Sequence, residues 1–124
     1  MNRILIVEDD KEISFLLNLN LSINPNYYVD CTYDGLSALD KIRDFQPDLI
    51  LLDGKLPHLT GDQVASQLKQ DPTTSQIPIL GMTGEPPNSS IATNLSTFCD
   101  HAIRKPFNIN DLRTHIENLL PQPV

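Results

Sequence analysis

Long apolar runs are missing from this chain. None approaches the roughly 20 residues that a helix needs to cross a bilayer. The opening Met1-Asn2-Arg3 passes straight into Ile4-Leu5-Ile6-Val7, too short for the hydrophobic region of a signal peptide, so a cytosolic protein is expected. Cysteine is scarce. Cys31 and Cys99 stand far apart with no CxxC, which reads as two reduced structural thiols rather than a disulfide or a metal site. Positive charge is also short: 9 Lys and Arg against 16 Asp and Glu give a net charge of -7. A phosphate backbone would repel such a surface, so direct nucleic-acid binding is not expected. No repeat or low-complexity segment interrupts the chain. What remains is 124 residues, 40% hydrophobic and 20% charged, the makeup of one globular domain.

Five apolar runs alternate with helix-like segments. The runs are 3–7 (RILIV), 27–32 (YYVDCT), 48–52 (DLILL), 77–82 (IPILGM) and a weak one at 101–104 (HAIR). The first and third are apolar on consecutive residues, as in strands covered on both faces of a parallel sheet. Between them, Ile13, Leu16, Leu17 and Leu21 form one helical stripe, and Leu36, Leu39 and Ile42 another. Thr60-Gly61-Asp62-Gln63 resembles a capping box, with Val64, Ala65 and Leu68 behind it. Ile91, Leu95 and Phe98 give the fourth segment an apolar face despite Pro86-Pro87 and its many Ser, Thr and Asn residues. Asn108 caps the last helix, whose buried face is Ile109, Leu112, Ile116 and Leu119. Strand and helix alternating five times predict an α/β domain over residues 1–120: a five-stranded parallel sheet, doubly wound, with helices on both faces. Residues 121–124 read as a tail or the start of a linker. Such sheets bind ligands at the carboxyl ends of their strands.

The strand ends carry the chemistry. Glu8-Asp9-Asp10 follows the first strand, Asp53 the third, Thr83-Gly84 the fourth and Lys105-Pro106-Phe107 the fifth. Each alone has a plain explanation: Asp10 caps a helix, a lone lysine is solvated, acids at a surface are common. Together they bring carboxylates to one edge, where they repel one another unless a cation sits among them. Carboxylates, a carbonyl and waters suit Mg²⁺. An ionised carboxylate beside Mg²⁺ and a lysine can attack phosphorus, with the two cations stabilising the phosphoryl oxygens.

The segments ILIVEDD, YDGLSAL, DLILLDGKLPHLTG, PILGMTG and IRKPF, in that order, resemble the receiver domain of two-component response regulators over nearly the whole chain. The resemblance implies a flavodoxin-like sheet in the order 2-1-3-4-5. It implies that Asp53 accepts a phosphoryl group from a histidine kinase or phosphotransfer protein. Glu8, Asp9, Asp53 and the backbone carbonyl of Lys55 would hold Mg²⁺, with Mn²⁺ or another divalent ion as a substitute. Thr83 would bond a phosphoryl oxygen. Lys105 would pair with Asp53 and then with the phosphate, and would precede Pro106 through a cis bond. A downstream effector would read the face made by the fourth helix, fifth strand and fifth helix, which leaves room for a phosphorylation-dependent dimer. Such a domain is a signalling phosphoacceptor that assists its own phosphotransfer and dephosphorylation, not an enzyme acting on other substrates.

Three departures from the pattern matter. The family's aromatic residue three positions before the lysine is Ala102 here, preceded by His101, so either His101 substitutes for the ring or readout runs through the loop after Thr83. Phe98 stands where the family often has glycine and reads as core. Lys55 and Glu85 flank the site and could pair across its mouth, lengthening the life of the phosphate. Other readings are a receiver-like docking module that does not cycle phosphate, an aspartate-nucleophile phosphatase, and a flavodoxin-like cofactor binder. The phosphatase needs an acid where Lys55 stands. The cofactor binder needs a Ser/Thr-rich loop where Glu8-Asp9-Asp10 stands.

Overall fold

In the computed structural model, described for residues 1–121, the apolar runs become the middle of a sheet. β1 (Asn2–Val7), β3 (Leu49–Asp53) and β4 (Ile79–Thr83) lie inside, with β2 (Tyr27–Thr32) and β5 (His101–Arg104) at the edges, in the order β2-β1-β3-β4-β5. All pairings are parallel. The five helices between and after them are α1 (Lys11–Leu21), α2 (Gly35–Phe45), α3 (Gly61–Gln70), α4 (Ser90–Phe98) and α5 (Ile109–Leu119). The sheet order and the alternation agree with the sequence reading.

Strand alternation sorts the core into two layers. Leu5, Val7, Ile50, Leu52 and Ile79 face α2, α3 and α4, where Ala38, Ile42, Val64, Leu68 and Leu95 meet them. Ile4, Ile6, Leu49, Leu51, Leu80 and Met82 face α1 and α5, against Leu17, Leu21, Leu112 and Ile116. Each fully buried Leu or Ile contributes about 1.5–3 kcal/mol over its exposed state. Both layers converge on β3, which is buried along its whole length.

The structure moves several expected boundaries and faces. β3 and β4 each run one residue further than predicted. Asp53 pairs with Met82 and Thr83 with Arg104, so the ladder continues through two of the expected site residues. Pro78 lies outside β4, and its carbonyl accepts Ile50 N–H at 3.0 Å. Leu16 and Leu36, assigned to buried stripes, are about half exposed. The sheet takes Ser14, Leu17 and Leu21 from α1, and Ala38, Ile42 and Phe45 from α2. The capping box at Thr60 and Gln63 is present. Phe98 is half-buried against the core. The tail reading for 121–124 falls mostly on 122–124, outside the described residues.

Candidate functional site

Four strand ends place the site. β1 delivers Glu8 and Asp9, and Glu8 N–H donates to Thr32 O at 3.1 Å, prolonging the ladder. Asp10 caps α1, accepting from Glu12 and Ile13 N–H at 3.0 and 3.2 Å. β3 ends on Asp53. The turn that follows is fixed by Gly54 N–H to Met82 O and by Gly61 N–H to Gly54 O, both 2.8 Å. A side chain at Gly61 would place its Cβ 2.0 Å from the Asp53 carbonyl oxygen, so close approach, not backbone angle, requires glycine there. β5 delivers Lys105, whose N–H donates to Thr83 O at 2.8 Å and which precedes a cis Pro106.

The Lys105 ammonium stands 2.6 Å from Glu8 Oε1 and 3.0 Å from Asp53 Oδ1. Glu8 and Asp53 are 1% and 5% exposed, whereas Asp9 is exposed. One carboxylate oxygen each from Glu8, Asp9 and Asp53 falls within 4.8 Å of the others. Burial pushes the Glu8 carboxyl up to about 7, and the Asp53 charge adds to this against the hydrogen bond from Lys105. Burial likewise raises Asp53, with Lys105 opposing. For Lys105 burial works against the charge, but the Glu8 hydrogen bond and the Asp53 charge outweigh it and hold the ammonium above its usual range. Two buried carboxylates thus share one ammonium, and a third acid stands at the rim.

These residues line one open pocket of about 650 Å³, together with Asp10, Ile13, Lys55, Leu56, Pro57, Gly84 and Glu85. Glu8, Asp9, Asp53, Lys55 and Lys105 are therefore brought together as predicted. Thr83 is not on the pocket wall. It is buried, and its Oγ1 accepts Glu85 N–H at 3.0 Å. Lys55 is largely exposed, and its ammonium lies 4.0 Å from Glu85 Oε1, a loose pair across the mouth.

The idea that His101 replaces the missing ring fails on register. His101 pairs with Leu80, on the α1/α5 side, and its ring lies 4.3 Å from that of His115 on α5. Ala102 pairs with Gly81, on the α4 side that alternation also gives to Thr83. A residue one place earlier in a strand points to the other face. Sequence reasoning also missed Arg104, which donates from Nη1 to Glu85 O at 2.6 Å and so fastens the loop after Thr83 to β5. Strand alternation from Ala102 was the available signal.

A model of the response regulator receiver domain family matches residues 4–117. This chain belongs to that family. The response regulator ArlR of Staphylococcus saprophyticus is 37% identical to it over 120 residues, 97% of this chain and 53% of that one. The receiver domain therefore spans about half the length of the curated relatives it matches. A response regulator from Chloroflexus aurantiacus has a similar structure, with a TM-score of 0.85, 28% identity and coverage of 98% of both chains. TrrA of Thermotoga maritima, solved in complex with Mg²⁺ and BeF, has a TM-score of 0.83 and 29% identity over 97% of the receiver domain and 100% of that chain. In the receiver domain, the all-oxygen donors of Glu8, Asp9 and Asp53 and the raised carboxyls of Glu8 and Asp53 fit a hard divalent cation. No helix among the described residues is long and apolar enough to cross a membrane.

Proposed function

We propose that this receiver domain accepts a phosphoryl group on Asp53 from the phosphohistidine of a sensor histidine kinase or phosphotransfer protein in the cytoplasm. The observation that carries this reading is the Lys105 ammonium held between the buried carboxylates of Glu8 and Asp53 at an open pocket. β3 fixes the nucleophile and the Gly54–Gly61 turn keeps it there, a positioning contribution. The Asp53 carboxylate attacks phosphorus in line, a P–O bond forms, the P–N bond breaks, and the histidine ring leaves as the neutral imidazole after taking a proton. Lys105 passes from the carboxylate to a phosphoryl oxygen. Thr83, whose oxygen already accepts Glu85 N–H, turns its own proton to another. Mg²⁺, when held by Glu8, Asp9, Asp53 and the Lys55 carbonyl, supplies charge neutralisation of the phosphoryl oxygens, and Mn²⁺ has the same ligand preferences.

The donor is a protein rather than a metabolite because an apolar ridge runs away from the pocket mouth. Phe15, Leu16, Leu19 and Ile23 are 65%, 49%, 56% and 73% exposed along α1 and just beyond it. Ridges of this kind mark protein contacts. On the output side, Ala102 offers no ring to follow Thr83. The Thr83–Glu85–Arg104 hydrogen bonds provide the alternative link to β5 and the α4–β5–α5 face.

The test is incubation with a small phosphodonor such as acetyl phosphate and Mg²⁺. An acyl phosphate, cleaved by hydroxylamine, present in the wild type and absent in Asp53→Asn and in EDTA, supports the reading. No labelling of the wild type would leave the docking-module reading standing instead.

A further inference from the structure

Among the described residues three carboxylates are buried: Glu8 and Asp53 in the pocket at the strand ends, and Asp62 outside it. Asp62 lies in the first turn of α3, where the helix dipole favours an anion. The dipole does not require burial, yet Asp62 is only 8% exposed. One of its oxygens accepts the Asn94 side-chain amide of α4 at 3.1 Å. The other is closed off from water and has no hydrogen-bond partner. A buried carboxylate left half-satisfied is destabilising, and an apolar residue in its place would avoid the penalty.

Asp62 is also part of the wall of a groove of about 310 Å³ between α3 and α4, with Gln63, Ser66, Gln67, Asn94 and Phe98. No lysine, arginine or histidine is in that lining. We infer that the groove is a receptor for an arginine side chain presented by a partner protein. A guanidinium carries five N–H donors in a planar fork. Two of them match a carboxylate, and the others reach the oxygens of neighbouring amides such as those of Gln67 and Asn94. Its flat face stacks on an aromatic ring, which Phe98 provides. Binding would turn the Asn94 amide aside, which frees the oxygen it now holds, and the enclosed second oxygen would have to open to the fork for a bidentate pair. A lysine ammonium is a strongly hydrated point charge that uses neither the fork geometry nor the ring as well. A divalent metal wants more than one anionic oxygen. The volume is at the small end for a ligand cavity, right for one side chain and too small for a helix. The net charge of -7 draws a basic partner.

Titrating the ¹⁵N-labelled chain with N-acetyl-arginine amide, and separately with N-acetyl-lysine amide, tests the assignment without Mg²⁺ or phosphodonor. It therefore stands or falls apart from the phosphorylation reading. The expected result is saturable shift changes centred on Asp62, Asn94 and Phe98, with affinity on the order of millimolar for a lone side chain. The lysine compound should bind about tenfold more weakly. Asp62→Asn, which keeps the shape and removes the charge, should abolish the response. Equal response to lysine, an unchanged Asp62→Asn titration, or shifts confined to Glu8, Asp9 and Asp10 would overturn the proposal. Asp62→Leu gives a second measurement: the melting temperature should rise while binding is lost. A fall would show that Asp62 is there for stability, and would also overturn it.

Discussion

Glu8 holds a proton more firmly in the folded chain than in the unfolded one, and the sign of the consequence follows. Its carboxyl is raised from 4.5 to about 7, first by burial. Between those values the native state keeps a proton that the unfolded state has lost, so stability falls as pH rises through the window and levels off above it. Asp53, raised by burial in the same direction, adds to the slope. At about 1.4 kcal/mol per pH unit, Glu8 alone accounts for a loss on the order of 3 kcal/mol. In EDTA, urea unfolding should give a midpoint that drops from pH 5 to pH 7.5. Mg²⁺ should restore it at pH 7.5 and do less at pH 5, where Glu8 keeps its proton. Glu8→Gln should flatten the profile, and a flat wild-type profile would contradict this account. Removing the cation is harsher. Lys105→Met leaves two buried acids without their cation and should cost the lower part of roughly 3–5 kcal/mol, since Lys105 keeps some exposure. Partial relief in the double variant with Asp53→Asn is expected, read by the same unfolding curves. These acids were legible in the sequence because each follows a run of buried residues, which fixes its place at a strand end. Asp62 was not. A polar residue in a capping box normally faces water, and its burial comes from α4, which is distant in sequence.

At the level of elements, the turn from β3 into α3 is the part with least tolerance. A Cβ on Gly61 would meet backbone on both sides, Asp53 O at 2.0 Å and Gly54 Cα at 2.9 Å, and backbone cannot swing away as a side chain can. Gly61→Ala should cost about 2–4 kcal/mol and should slow phosphorylation by shifting the end of β3. Gly84, across the pocket, is the matching control. A Cβ there meets nothing closer than Lys105 Cβ at 3.8 Å, so Gly84→Ala should stay within about 0.5 kcal/mol. Urea midpoints and the rate of acyl phosphate formation check both. The strands and the helices α3 and α5 were readable because their signals are local: consecutive apolar residues, a capping box, an Asn cap. The faces of α1 and α2 were not. Leucine is more plentiful there than the sheet can cover, so spacing alone could not say which ones turn inward, and Leu16 and Leu36 turn out. The pair of Lys55 and Glu85 belongs to this scale too, because it joins the loops after β3 and β4. At 4.0 Å and with Lys55 open to water it is worth under about 1 kcal/mol. Lys55→Ala should speed loss of the phosphate by no more than about fivefold. An unchanged decay rate would remove any role for the pair.

Across the whole molecule, charge and apolar surface are unevenly shared. The chain carries a net charge of -7, but between Glu12 and Asp30 no residue is charged. That stretch forms most of α1 and the turn into β2, and it holds the exposed Phe15, Leu16, Leu19 and Ile23. Its start adjoins the pocket at the strand ends, because Ile13 lines the mouth one turn before Leu16 and Leu17. A protein that brings a phosphohistidine to Asp53 would find there an approach free of acidic repulsion, with apolar anchors beside it. A small phosphodonor has no need of the ridge, and this difference separates docking from chemistry. Phe15→Glu and Leu19→Glu should leave labelling by acetyl phosphate at the wild-type rate, since neither side chain lines the pocket. With a phosphorylated histidine-kinase or phosphotransfer protein as donor, the same variants should slow transfer at least about tenfold, the size expected when a central apolar anchor is lost. Equal slowing with both donors would mean that the substitutions distort α1 and its Asp10 cap. No slowing with either would place the protein contact elsewhere on the acidic surface, where transfer would then fall with rising salt.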